Sequence, residues 1–181
     1  MSIPQSIAGL VEILIDKHHG NLRRSIPILL RLAPAWEALH TYQQSPAQRW
    51  SRILTPWWEE LQQHMHKEET FIFPACLEGR GSTLASMLRT LELEHSDHCQ
   101  VMEALSSSIE ESDELIAACQ TEPKDKVPFL EDAIEFRREA TLMLHQLQEH
   151  INLENRVFFP LILSLDAPCH LDVKQTPNSP D

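Results

Sequence analysis

Hydrophobic residues recur at alternating steps of three and four along most of the chain, the spacing that places them on one face of an α-helix. Four stretches show this pattern, and we predict a long helix for each, at about residues 4–42, 46–77, 82–119 and 129–165. Four helices with short connections indicate an all-α, up-down-up-down four-helix bundle. We assign residues 1–165 to this bundle domain. Residues 166–181 are polar, contain three prolines and are predicted to form a disordered tail.

Prolines inside the predicted helices are positions where we expect a kink, a break or a distortion. Proline lacks a backbone N–H, and its ring crowds the preceding turn of a helix. The prolines concerned are Pro27, Pro34, Pro56 and Pro74. At the helix ends, Gly79 suits a C-cap, and Ser82 or Thr83 suits the N-cap of the third helix.

Polar residues interrupt the apolar faces at positions where the periodicity calls for leucine. These residues are His19, His64, Glu68, His95, His98, His150 and Glu154. Burying an unpaired imidazole or carboxylate in an apolar core costs several kcal/mol. A bound cation is the simplest compensation, so the pattern predicts a metal site inside the bundle.

One motif occurs twice, as HMHKEETFIFP from residue 64 and as HINLENRVFFP from residue 150. In both copies a Glu follows the His by four positions, and Phe-Pro ends the motif. Residues four apart share a helix face, so each copy places an imidazole beside a carboxylate. A single pair of this kind is common on surface helices, but two copies with matching ends indicate a shared site.

Counting outward from the predicted turns, centred near residues 45, 80 and 124, tests whether these side chains meet. The distances to the shared turn are 26 and 23 residues for His19 and Glu68, 16 and 15 for His64 and His95, and 26 each for His98 and His150. Antiparallel neighbours at equal distances lie side by side, so all four helices contribute to one layer. His40 lies 21 residues after His19, about 30 Å away at about 1.5 Å per residue, and is predicted to lie near the opposite end of the bundle.

Composition narrows the possible partners and the compartment. The net charge of −12 argues against nucleic acid or an anionic membrane as a partner. The four cysteines form no C-x-x-C motif, and the N-terminal residues do not resemble a signal peptide, which together favour a reducing cytoplasm. No apolar run reaches transmembrane length.

The donor set of imidazoles and carboxylates without a thiolate suits iron or manganese better than structural zinc. The zinc-protease motif H-E-x-x-H is absent from the sequence. Two carboxylates on two helices can bridge two metal ions, so we expect Glu68 and Glu154 to bridge a dinuclear site. The expected terminal ligands are His19, His64, His95 and His150. Each metal would then keep open positions where O₂ or NO could bind.

The remaining histidines have several interpretations. His98 fits an outer hydrogen-bond donor, a fifth histidine ligand or a core histidine satisfied by other contacts, and the sequence leaves these alternatives open. His18 is predicted to be solvated, because its neighbour His19 occupies the apolar face. His66 and His145 are expected to face solvent, and His170 lies in the predicted tail.

These motifs resemble those of the hemerythrin-like (HHE cation-binding) family over residues 5–165, and within it most resemble the di-iron domain of repair-of-iron-centres proteins. The resemblance implies a non-haem site for two Fe ions in a four-helix bundle. It carries over as metal ligands His19, His64, Glu68, His95, His150 and Glu154. His40 also matches a recurrent family histidine, but the turn count argues against its coordination.

Two departures from related proteins bear on function. Oxygen-carrying hemerythrins have a further third-helix histidine spaced by four and an Asp on the fourth helix, whereas here the spacing is three and the fourth helix carries Glu154. Repair-of-iron-centres proteins typically carry a small N-terminal domain with a cysteine pair, which the printed sequence does not contain. The first departure weakens the oxygen-carrier interpretation, and the second weakens that of a complete repair cycle by this chain alone.

Three functions therefore remain in view. The first is a cytoplasmic di-iron protein of the nitrosative or oxidative stress response, which binds NO or O₂ or donates iron to iron–sulfur proteins. The second is a reversible O₂ carrier or sensor, and the third is a helical interaction protein without a functional metal. We expect a metal-binding protein rather than a classical enzyme, acting as a monomer or homodimer without nucleic-acid or membrane partners.

Overall fold

The computed structural model describes residues 6–45 and 49–164, in which four long helices occur and no strand. The first long helix covers residues 7–42 and consists of α-helical Ile7–Ile13, π-helical Leu14–His19 and α-helical Gly20–Tyr42. The second covers residues 50–77 and consists of α-helical Trp50–Lys67, π-helical Glu68–Ile72 and α-helical Phe73–Leu77.

The second half of the chain supplies the other two long helices. A 3₁₀ turn, Gly81–Leu84, leads into the third long helix, Ala85–Glu110, and the short helix Asp113–Gln120 follows it. The fourth covers residues 130–164 and consists of α-helical Leu130–Leu153, π-helical Glu154–Phe158 and α-helical Phe159–Ser164. The predicted tail at 166–181 lies outside the described residues. No helix within the described ranges is both long and apolar enough to cross a membrane.

Contacts between side chains show that the long helices run antiparallel to their neighbours. Along the first and second helices, Glu37 bonds to Ser51 while His19 contacts Glu68. Along the second and third, the indole of Trp50 reaches Ser108 while His64 meets His95. The third and fourth are paired through Arg137 with Asp113 and through His95 with Asn155. The predicted up-down-up-down four-helix bundle is therefore confirmed.

Buried hydrophobic side chains form two clusters, and the polar residues singled out above lie between them. One cluster includes Trp36, Trp50 and Phe136, whereas the other includes Phe73 and Phe158. On every long helix the candidate His and Glu positions fall between a member of one cluster and a member of the other. The candidate site is thus a buried polar layer enclosed by apolar packing above and below.

Helix continuity corrects part of the proline prediction. The first helix continues through Pro27 and Pro34, and the second continues through Pro56, so no break occurs at these residues. All three prolines are exposed, and the carbonyl that each leaves without a donor lies toward the solvent side of its helix. The predicted distortion at Pro74 is confirmed, because the π-helical segment Glu68–Ile72 precedes it directly.

The predicted helix ends were right at one position and wrong at two. Gly79 has a φ of 72°, the left-handed conformation expected after a helix C-terminus. Thr83 does not cap the third helix, because its hydroxyl donates to the carbonyl of Arg80. The third helix was predicted to reach residue 119 but ends at Glu110, where the Ser112 hydroxyl donates to the Ile109 carbonyl at 2.6 Å and competes with helical hydrogen bonding.

Candidate metal centre

Three π-helical turns place the candidate ligands. In each, a backbone N–H bonds to the carbonyl five residues earlier, from Gly20 to Ile15, from Phe73 to Glu68 and from Phe159 to Glu154. In the two sequence repeats the next residue is Pro74 or Pro160, which cannot donate the α-helical hydrogen bond to the residue four earlier. The Phe-Pro ending of the repeat therefore coincides with a widened turn that begins at the Glu. Such π-turns are frequent at functional sites.

The structure brings together all six residues that were predicted as ligands. His19, His64, Glu68, His95, His150 and Glu154 are each at most 1% exposed. One ligand atom from each of five of them lies within 4.8 Å of all the others, the five being His64, Glu68, His95, His150 and Glu154. The sixth, His19, joins through its Nε2, which lies 3.2 Å from Oε2 of Glu68.

Each of the two buried carboxylates contacts two imidazoles. Glu68 Oε1 lies 3.2 Å from Nε2 of His64, while Glu68 Oε2 lies at the same distance from Nε2 of His19. Glu154 Oε2 lies 3.1 Å from Nε2 of His95 and 3.3 Å from Nε2 of His150. The four histidines therefore all present Nε2 to the centre, as a common ligand geometry requires.

Several of these inward-facing atoms lack a hydrogen-bond partner. They include both carboxylate oxygens of Glu68 and Glu154, Nε2 of His19 and both ring nitrogens of His150. Buried polar groups are nearly always hydrogen-bonded, and the exceptions call for an explanation. Oxygen and imidazole donors converging at this spacing fit a bound cation, which would satisfy these atoms together.

Electrostatics of the metal-free cluster push the two carboxyl groups in opposite directions. Burial would raise the pKa of Glu68, but the neighbouring His64 and His19 outweigh it and hold that pKa well below its usual range. Burial, reinforced by the charge of Glu68, raises the pKa of Glu154 well above its usual range. Burial also lowers the pKa of His150, far below its ordinary value. The metal-free site thus holds protons in places that a cation would take over.

Outer partners fix the orientation of three of the four imidazoles, and the sequence reasoning did not identify them. Nδ1 of His19 donates to Glu69 at 2.7 Å, and Nδ1 of His64 donates to Glu94 at 2.9 Å. Nδ1 of His95 donates to Oδ1 of Asn155 at 2.8 Å. Such bonds keep the proton on Nδ1 and direct the lone pair of Nε2 toward a metal.

A signal for two of these partners was present in the repeat. Glu69 and Asn155 occupy the same place in the two copies, one residue after the Glu. Each reaches a histidine on a different helix, because a residue beside a buried ligand points to the neighbouring helix instead of the centre. Glu94 gave a weaker signal, its position directly before His95.

Two histidines outside the predicted ligand set lie where the sequence reasoning had placed them or left them open. His40 is buried against Trp36, with ring centroids 5.4 Å apart, among the residues of the first cluster. His98 is buried, and its ring lies 5.5 Å from that of His64 and 6.2 Å from that of Trp57. Neither ring nitrogen of His98 has a hydrogen-bond partner.

The prediction for His18 was wrong. His18 is only 5% exposed, and its ring centroid lies 5.9 Å from that of His150. The reason is the π-helical turn Leu14–His19, whose wider spacing lets two consecutive histidines face inward, whereas a regular α-helix would turn one of them outward. His66 and His145 are exposed, as predicted.

A four-helix bundle with a buried layer of histidines and glutamates at its centre defines a helical cation-binding protein. The chain belongs to the hemerythrin family, because the hemerythrin HHE cation binding domain matches residues 12–162. The chain is also similar to iron-sulfur cluster repair proteins named YtfE. It is 28% identical to that of Citrobacter koseri over 158 residues, 87% of this chain and 67% of the relative. The values for the Escherichia coli protein are the same, and for Enterobacter sp. (strain 638) they are 28% over 159 residues, 88% and 67%.

Proposed function

We propose that this protein is a cytoplasmic, non-haem di-iron protein that supports the repair of iron–sulfur centres during nitrosative or oxidative stress. The observation that carries the proposal is the pair of buried carboxylates, Glu68 and Glu154, each facing two imidazoles at 3.1–3.3 Å. The name of the YtfE relatives, iron-sulfur cluster repair protein, supports the physiological role. Free thiols at Cys76, Cys99 and Cys119 agree with a reducing compartment.

The proposed ligand set divides between two metal positions. Nε2 of His64 and Nε2 of His95 are 2.9 Å apart, a spacing that suits neighbouring ligands of one ion, since metal–imidazole bonds measure about 2.1 Å. The rings of His19 and His150, with centroids 5.1 Å apart, would serve the other ion. Glu68 and Glu154 would bridge the two ions.

The donors favour iron over the alternatives. Four imidazoles and two carboxylates, with no cysteine among them, are the hard and intermediate ligands that iron and manganese accept. Structural zinc sites are closed, four-coordinate and often thiolate-rich. Iron bound here would supply a redox-active Lewis acid with positions left for a small molecule such as NO or O₂. The chain's own residues would hold it, exclude bulk water and fix the tautomers of the histidines.

Metal analysis and an iron-transfer assay test the proposal. Protein from iron-replete cells should contain two irons per chain, and it should restore an iron–sulfur enzyme whose cluster has been damaged by NO or peroxide. The matched control is Glu154→Ala, which should fold as a bundle but neither hold two irons nor restore the enzyme. One zinc or no metal in the wild-type protein would contradict the di-iron site. Two irons without restoration, and with a reversible spectral change on cycling O₂, would instead indicate an oxygen carrier or sensor.

A further inference from the structure

The four candidate histidine ligands differ in what holds their outer nitrogen. His19 and His64 each donate from Nδ1 to a carboxylate, that of Glu69 and that of Glu94. His95 donates to the neutral amide oxygen of Asn155. The buried Nδ1 of His150 has no hydrogen-bond partner. Two imidazoles are therefore supported by charge, one by a dipole and one by packing alone.

The two supporting carboxylates are connected to the surface in the same way. Arg23 donates to Glu69 at 2.9 Å, and its side chain is 43% exposed. Lys67 forms an ion pair with Glu94, and its side chain is 38% exposed. The molecule thus contains two chains of contacts that lead from solvent to the buried site, Arg23–Glu69–His19 and Lys67–Glu94–His64.

These two surface ion pairs contribute little to folding. Exposed ion pairs are typically worth about 0–1 kcal/mol. Their position suggests another role, because each holds the carboxylate that orients a candidate ligand and raises the ligand's donor strength. Outer partners of this kind typically change metal affinity by about 10–100-fold when they are removed.

The two chains of contacts reach different metal positions. His64 shares its proposed position with His95, since their Nε2 atoms are 2.9 Å apart. His19 contacts the other oxygen of Glu68 and shares the second position with His150. Each position therefore combines one carboxylate-supported histidine with one that lacks such support.

We propose that Arg23 and Lys67 are positioning residues, each of which sets how tightly one of the two metal positions holds its ion. Arg23 acts through Glu69 on the His19–His150 position, and Lys67 acts through Glu94 on the His64–His95 position. The inference rests on the proposed di-iron site and deepens it, because an iron donor needs ions that can leave one at a time. The His19–His150 position depends more on its ion pair, since Nδ1 of His150 has no partner of its own.

The test is the kinetics of iron release from the full chain loaded anaerobically with Fe²⁺ and mixed with a ferrous chelator. The variants are Arg23→Gln, Lys67→Gln and the double variant. Controls are Arg24→Gln, whose arginine is paired only with Asn21 on the surface, and Lys126→Gln, whose lysine pairs with Glu122. Each single variant should release one of its two irons about 10–100-fold faster and keep the other at the wild-type rate. The accelerated step should be the faster in Arg23→Gln, and Arg23→Lys should restore most of the wild-type rate.

The double variant decides whether the two residues act on different ions. Acceleration of both irons supports the assignment, whereas one iron that stays slow means that both residues act on the same ion and overturns it. Wild-type rates in both single variants, or equal acceleration of both irons in each, would also overturn it. The melting temperature of the metal-free variants should match that of the wild type, which excludes general loosening of the bundle. Failure of the wild-type chain to bind two irons would contradict the proposed function instead.

Discussion

Nε2 of His64 and Nε2 of His95 lie 2.9 Å apart, although the two residues belong to different long helices. In the metal-free protein this contact needs a proton on one of the two nitrogens, while Nδ1 of His64 already donates to Glu94. Burial alone would lower the pKa of His64, but Glu68 and Glu94 outweigh it and raise that pKa. The pKa of His95 is lowered to about 4 by burial and by the charge of His64. The shared proton therefore belongs mainly to His64, and it occupies the place that a metal ion would take.

Loss of a bridging carboxylate should remove the metal. We expect Glu68→Ala and Glu154→Ala to lose bound iron, because each residue faces two of the four imidazoles. His40→Ala should keep the wild-type stoichiometry, since His40 lies against Trp36, away from the cluster of ligand atoms. Metal content per folded chain, measured for all three variants, checks this. Full stoichiometry in both glutamate variants would refute the bridging assignment.

Removal of the metal should destabilise the bundle. An ion at about 1,000 times its Kd stabilises the folded state by roughly 4 kcal/mol, which corresponds to roughly 8–16 °C in Tm for a protein of this size. Exhaustive chelation should therefore lower the Tm of the wild-type protein by about that amount. The Tm of Glu154→Ala should not respond to the chelator. An unchanged wild-type Tm would favour a helical interaction protein over a metalloprotein.

The extent to which the sequence predicted the site follows from the geometry of helices. Residues spaced by three and four share a face whatever surrounds them, so the layer that contains His64, His95 and Glu154 could be derived by counting from the turns. Glu69 and Glu94 could not, because partly exposed carboxylates next to a buried ligand have the same sequence pattern as solvated surface residues. His18 was misplaced because a regular helical period was assumed across a π-helical turn. The division of the chain at residue 165 and the coordination of the six ligands stay predictions.

A second stability prediction concerns Ser108, which accepts hydrogen bonds from two buried indoles. Trp36 Nε1 donates to its hydroxyl at 3.3 Å, and Trp50 Nε1 donates at 3.1 Å. Ser108→Ala would leave both donors unpaired, at about 1–3 kcal/mol for each buried group. We expect the free energy of unfolding in urea to fall by about 2 kcal/mol or more. Ser107→Ala is the matched control, because the Ser107 hydroxyl is exposed and bonds only within its own helix; similar losses in both variants would disprove the role of Ser108.

The acid sensitivity of the metal-free protein should depend on His98. Burial, followed by the charges of His64 and His95, lowers the pKa of His98 to about 4 from an ordinary value of 6.5. Between these two pH values the unfolded chain binds a proton at this residue and the folded chain does not. The free energy of unfolding is therefore lost as the pH falls from 6.5 towards 4 and is fully present above 6.5.

His98→Leu removes this proton uptake and fills the same space against Trp57. The decline in unfolding free energy between pH 6.5 and pH 4 should be smaller in the variant by up to about 3 kcal/mol, since one pKa unit corresponds to about 1.4 kcal/mol. Urea unfolding of both metal-free proteins at several pH values in this range measures the difference. Parallel declines would mean that the folded protein can accommodate a charged His98. Its ring would then have access to water or to a neighbouring carboxylate, which its 3% exposure and two unpartnered nitrogens argue against.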